Sequence, residues 1–184
     1  MQKQERVTLY GMDCRDAMGL FMAENSVDSI VTDLAAGTAA EHLVCADLLL
    51  TGHVAFLTSQ TCAYDVAVDI AGRMLRIQVK ATRMPRAIPQ RVGHFPAYMW
   101  HVRRAGKAGK RVYGDAEFDL LALVALDSRQ IAYLPPSQVL QTVHIRPDDS
   151  RPQSSKTGKK FADFSFTHAI ETVARLAAET GAQA

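Results

Sequence analysis

Asp65, Gln78 and Lys80 have the side-chain types to hold a divalent cation against a phosphate. They lie in the stretch YDVAVDIAGRMLRIQVK, Tyr64 to Lys80. Two alternating runs flank Ala71-Gly72, which predicts a β-hairpin. On the second run Leu75, Ile77 and Val79 share one face, and Arg76, Gln78 and Lys80 share the other. On the first run Val66, Val68 and Ile70 lie together, with Asp65, Ala67 and Asp69 opposite. Pairing the runs gathers Asp65, Gln78 and Lys80 on one polar face. Hard cations such as Mg²⁺ take oxygen donors, and a lysine ammonium is a point charge for phosphate.

A second acid stands upstream. Gly37 to Gly52, GTAAEHLVCADLLLTG, predicts a helix with Thr38 as N-cap and Gly52 past its end. Two roles are open for Glu41. It stands three residues after Thr38, the spacing of a capping box. It also shares a helix face with Cys45, Leu48 and Leu49, so it can lean inward toward the sheet.

The order is a helix Glu, a strand and turn, Tyr-Asp, then a hairpin ending Gln-Val-Lys. It resembles the PD-(D/E)XK endonuclease superfamily, in particular its small group related to archaeal Holliday-junction resolvases. The resemblance is tight from Gly37 to about Thr82. It continues more loosely through FDLLALVALDSRQIAYLPPSQV, Phe118 to Val139. It implies a restriction-endonuclease-like α/β fold, a mixed sheet flanked by helices. It implies a magnesium- or manganese-dependent hydrolase acting on DNA, with branched or structured DNA among its substrates. The catalytic set it carries over is Glu41, Asp65, Gln78 and Lys80, with Glu41, Asp65, Gln78 and the Val79 carbonyl around the metal. It favours the metal role for Glu41 over the cap. One position departs from the family, because the acid usually two residues before the lysine is Gln78 here. A second reading follows: a nuclease-fold module that binds DNA or a partner without cutting. The resolvase-like relatives are dimeric, so a homodimer is compatible with the resemblance, although the sequence does not demand one.

The chain of 184 residues is long enough for one domain with a real core. Hydrophobic residues make up 48% and charged residues 22%, which excludes a disordered or fibrous class. Cys14, Cys45 and Cys62 have no metal-ligand spacing and read as reduced thiols of a cytoplasmic protein. No stretch reaches the roughly 18 apolar residues of a membrane span, and the start carries no signal-peptide pattern. The six His residues stand singly, without metal spacing.

The net charge of +2 conceals an asymmetry. Residues 70 to 114 carry eleven basic residues and no acid, among them Arg76, Arg83, Arg103, Arg104, Lys107 and Lys110. Phe95, Tyr98, Trp100 and Tyr113 are interleaved with them. Cations beside rings suit phosphate contact and base stacking. A solvated basic loop is the plainer alternative. In the resembling family the loop before Tyr-Asp lies near the active site, which puts Ser59 and Gln60 beside the phosphate. Otherwise they form an ordinary Ser/Thr turn.

Four segments are expected: an appendage over 1–34, a nuclease-like core over 35–146, a flexible loop over 147–160 and a C-terminal helix within 161–184. In the appendage, Arg6 to Tyr10 predicts a strand, Cys14 to Glu24 a helix, and Ser26 to Asp33 a turn and buried strand. That β-α-β order is similar to the opening of DNA methyltransferases. The catalytic Asp-Pro-Pro-Tyr is missing, because Asp33 is followed by Leu34-Ala35-Ala36. No methylation chemistry is expected. Further along, Val54 to Leu57 predicts a first core strand, Ala105 to Lys110 a flexible basic turn, and Leu120 to Leu126 a central strand buried on both faces. Ile131 to Leu134 predicts the returning strand, ended by Pro135-Pro136.

Overall fold

The structure, a computed structural model, describes residues 28–59, 61–87, 95–102, 104–106, 109–111, 113, 117–148 and 159–181, with backbone alone for 28–33, 104–106, 109–111 and 176–181. The chain divides into two compact units, Met1–Ala35 and Ala36–Ala184. The strand and helix expected within residues 6–24 lie outside the described residues.

The first described element is helix α1, Asp28–Leu50. It corrects two expectations at once. Ile30 to Asp33 is helical rather than a strand, and Thr38 lies inside the helix rather than at its cap. The physical reason is the buried stripe Ala36, Ala40, Val44 and Leu48, one residue per turn. A helix nucleated on that stripe propagates backward through Leu34-Ala35, because no proline stops it. The β-branched Ile30, Val31 and Thr32 have only a weak contrary preference. Leu49 is 52% exposed, so it does not share the buried face. At the other end the helix closes as foreseen. Gly52 has φ of +89°. Its N–H donates to the Leu49 carbonyl and that of His53 to the Leu48 carbonyl, a Schellman cap.

A five-stranded mixed sheet follows, with strands β1 (Val54–Leu57), β2 (Val66–Ile70), β3 (Arg73–Thr82), β7 (Leu120–Ala125) and β8 (Gln130–Leu134) in that order. β3 and β7 run parallel, and the other neighbours are antiparallel. β1, the expected first strand, forms one edge of this sheet, with Ala55 alone buried. The β2–β3 hairpin turns at Ala71-Gly72, where both residues have positive φ, as a type I′ turn needs. The Asp69 carboxylate accepts the Gly72 N–H at 2.7 Å.

β7 is buried along its whole length. Leu120, Ala122 and Val124 pack on one face with Val44 and Leu48 of α1 and with Phe166 and Ala169. The last two belong to helix α2, Phe166–Gly181. Leu121, Leu123 and Ala125 pack on the other face, against Tyr98, Trp100, Val143 and Ile145. Full burial of each leucine is worth about 1.5–3 kcal/mol, so β7 anchors both layers. The second layer is a two-stranded sheet of β4 (Tyr98–His101) and β9 (Thr142–Ile145), with the short 3-10 turn Phe161–Phe164 beside it. The basic turn expected at Ala105 to Lys110 is instead a ribbon. β5 (Arg104–Gly106) pairs with β6 (Gly109–Arg111), Gly106 opposite Gly109. Of the expected loop 147–160, residues 149–158 lie outside the described residues.

Candidate active site

β2 and β3 position the acid. Asp65 stands just before β2, and its N–H donates to the Ile77 carbonyl at 2.9 Å. Its carbonyl accepts the Thr58 N–H at 3.0 Å, while the Thr58 hydroxyl donates to the Tyr64 carbonyl. The backbone on both sides of Asp65 is thus held. Its carboxylate oxygen Oδ2 accepts the Val79 N–H at 2.7 Å and also the Gln78 side-chain amide. Gln78 is 7% exposed, so its amide needs that partner. The same amide makes a long contact of 3.4 Å to the Val79 carbonyl.

Glu41 reaches this neighbourhood from α1. It is half-buried, one turn past Gly37. Burial pushes its carboxyl above the ordinary range, the Asp65 charge pushes it further, and His42 and Lys80 partly offset both. One glutamate therefore senses a second carboxylate and an ammonium together. Lys80 sits two residues beyond Gln78, on the same face of β3 by strand period. Its Nζ lies over the Tyr113 ring, 5.3 Å from the centroid.

This order, a helix glutamate, an aspartate at a strand junction and a lysine on the next strand, is embedded in a mixed sheet, and the model of the PD-(D/E)XK endonucleases matches residues 32–167. The chain belongs to the PD-(D/E)XK endonuclease family. Among solved structures, a bacterial homing endonuclease, I-Ssp6803I, superposes with a TM-score of 0.58 at 16% identity. The match covers 79% of this chain and 96% of that one. At that identity the likeness is one of fold. No curated protein matches the chain.

Endonucleases of the PD-(D/E)XK family generally use divalent metal ions. The donor chemistry here fits such an ion. The Glu41 and Asp65 carboxylates and the Val79 carbonyl are hard oxygen donors, and the Asp65 charge adds to the cost of ionising Glu41, which a cation would relieve. Gln78 is the departure. It turns its nitrogen, not its oxygen, toward Asp65. No group of three His, Cys, Asp or Glu that could hold a metal occurs among the described residues.

The basic residues are dispersed. Arg76 is committed to Asp119, whose carboxylate accepts its backbone N–H at 2.8 Å, its Nε–H at 3.0 Å and its Nη2–H at 3.1 Å. Burial would raise the Asp119 carboxyl, but those bonds and the nearby arginine charges hold it below the usual range. Arg83 is exposed just past β3. Arg104 and Lys110 lie on the β5–β6 ribbon. Ser59 forms the Ser/Thr turn, its hydroxyl 2.9 Å from that of Thr61 and its carbonyl accepting the Cys62 N–H. Gln60, Arg103 and Lys107 lie outside the described residues. Burial pushes the Cys45 thiol up. No described helix is long and apolar enough to cross a membrane.

Sequence reasoning missed Thr58, Asp119 and the contact of Tyr113 with Lys80. Asp119 meets Arg76 only through the parallel β3–β7 register, with Ile77 opposite Leu120. No local spacing signals such a pairing. Tyr113 was visible only as one aromatic among cations.

Proposed function

We propose that the protein is an endonuclease that hydrolyses DNA phosphodiester bonds, with Glu41, Asp65 and the Val79 carbonyl holding Mg²⁺ or Mn²⁺. The observation that carries this reading is the convergence at Asp65. Its carboxylate is fixed by Val79 and Gln78, and Glu41 senses both it and Lys80. A divalent ion held there would polarise the phosphate and acidify water. The chain's own residues do the rest. The Val79 N–H and the Gln78 amide orient Asp65 before any substrate arrives. Lys80 presents an ammonium to the phosphate, where negative charge grows in the transition state. Water attacks phosphorus, and the bond to the leaving sugar oxygen breaks. Arg104 and Lys110, with Arg103 and Lys107 in the same stretch, supply backbone-directed charge. The homing endonuclease neighbour supports DNA as the partner. Branched substrates and a homodimer remain part of the proposal on the resolvase-like resemblance alone.

A second reading has its own observation. Gln78 satisfies Asp65 by hydrogen bonding and removes one charge, as a module that binds DNA without cutting would. One panel separates the two: plasmid, linear, branched and single-stranded DNA, each with Mg²⁺, Mn²⁺ or EDTA. Cutting that EDTA abolishes is expected. Binding with no cutting in either metal would replace the enzyme by the module.

A further inference from the structure

Lys80 is held in an unusual way. Among the described residues no carboxylate lies within ion-pair distance of it. Its Nζ instead faces the Tyr113 ring at 5.3 Å, inside the range in which a ring quadrupole attracts a cation. Tyr113 is itself pinned. Its ring meets Phe118 edge-on, with centroids 5.3 Å apart and planes at 77°. Phe118 is buried in the same core as Leu121 and Leu123. Lys80 pairs with Leu123 across β3 and β7. Lysine, ring and core therefore form a closed circuit. A lysine has a long flexible stem, and its rotamer freedom opposes any fixed placement. A carboxylate would restrain it but would also neutralise the charge needed by phosphate. A ring face restrains it and leaves the charge available.

We infer that Tyr113 is a positioning residue for Lys80, its ring face holding the ammonium where the phosphate arrives. The inference rests on the reading of Lys80 as a participant in hydrolysis. It also gives Tyr113 a task distinct from stacking on a base, the role that its place among cations suggests.

The test uses the full chain and the variants Tyr113→Phe, Tyr113→Leu, Lys80→Ala and the Leu/Ala double variant. The first readout needs no activity. Carbon–proton NMR locates the Lys80 ε-CH₂ signal, assigned by its loss in Lys80→Ala. It should be shifted upfield by the ring in wild type and Tyr113→Phe, and return to the ordinary lysine position in Tyr113→Leu. The second readout is single-turnover cleavage at saturating protein. Tyr113→Phe should cut like wild type, and Tyr113→Leu roughly tenfold more slowly, with DNA affinity in EDTA unchanged. In the Lys80→Ala background Tyr113→Leu should cost nothing further. An ordinary Lys80 shift in wild type overturns the inference. So does a Tyr113→Leu loss that appears in DNA affinity, or that persists undiminished without Lys80. Lys80→Ala indistinguishable from wild type, cutting or not, removes the catalytic reading of Lys80 and this inference with it. Wild-type cutting by Tyr113→Leu alongside a dead Lys80→Ala removes only the inference.

Discussion

Asp65→Asn separates chemistry from architecture, because the bonds from the Val79 N–H and the Gln78 amide converge on one carboxylate oxygen. The Val79 N–H and the Gln78 amide each donate to Oδ2. An asparagine that places its carbonyl oxygen there keeps both bonds and loses only the charge. Hydrogen bonds to charged groups contribute about 1.5–3 kcal/mol, neutral ones about 0.5–1.5. The change therefore costs roughly 1 kcal/mol per bond, or roughly 2 kcal/mol for the pair. For a unit the size of Ala36–Ala184, this corresponds to a melting temperature lower by roughly 4–8 °C. Alanine is the wrong probe. It strands a buried amide and a backbone N–H, at about 1–3 kcal/mol each.

Cleavage should behave otherwise. Removing a residue that merely supports a metal ligand already costs about 10–100-fold, so losing the carboxylate itself should cost roughly a hundredfold or more. The assay pairs differential scanning fluorimetry with plasmid nicking in Mg²⁺. Nicking within roughly threefold of wild type would place the metal elsewhere. A melting drop beyond roughly 15 °C would show that charge, not oxygen position, holds the strand junction.

Four further expectations concern Glu41, Gln78 and the ribbon. Glu41→Gln sits in a helix interior where both residues are good helix formers; melting should hold or rise slightly while cleavage is lost, and full activity would remove Glu41 from the site. The proton on Glu41 competes with a cation, and burial with Asp65 raises its titration; Mn²⁺ affinity by calorimetry should rise with pH through a range above that of an ordinary carboxylate, and Glu41→Gln should flatten that component. Gln78→Glu should tighten Mn²⁺ binding and lower the Mg²⁺ needed for cutting, an outcome contradicted by an unchanged metal requirement. Replacing Arg104 and Lys110 with Ala should reduce the slope of log affinity against log salt by roughly 2; an unchanged slope would take the ribbon off the DNA face.

The local pattern made the hairpin, the buried β7 strand and the glycine cap at Gly52 legible, since each depends on a few adjacent residues. The start of α1 was not. A short β-branched run read alone suggests a strand, and only the stripe packed under the sheet makes it helical. With the helix begun at Asp28, the cap role of Glu41 disappears and its inward lean remains. The ribbon was hidden by its glycines, which suggest a loose turn but also permit a tight hairpin. The Arg76–Asp119 pair bridges a separation that no window spans. Arg76 shows the limit of reading charge by composition. It belongs to an acid-free block, yet its own partner acid lies just beyond that block.

Gln78 decides how the site behaves before a cation arrives. A glutamate in its place would set a second carboxylate against Oδ2 of Asp65 in a pocket where Gln78 is 7% exposed. Two such charges in low dielectric cannot both stay ionised unless a proton or a metal stands between them. The amide avoids that conflict by donating where a carboxylate would repel. Asp65 is therefore oriented without metal. The cost falls on cation affinity, because one oxygen donor and one negative charge are gone. Under the proposed metal reading, Glu41, already raised by burial and by Asp65, would be the acid whose ionisation controls occupancy. Lys80 gains in importance for the same reason. In the proposed site, with fewer negative charges around the cation, the Lys80 ammonium on the Tyr113 ring would contribute a larger share of the positive field that a phosphate meets.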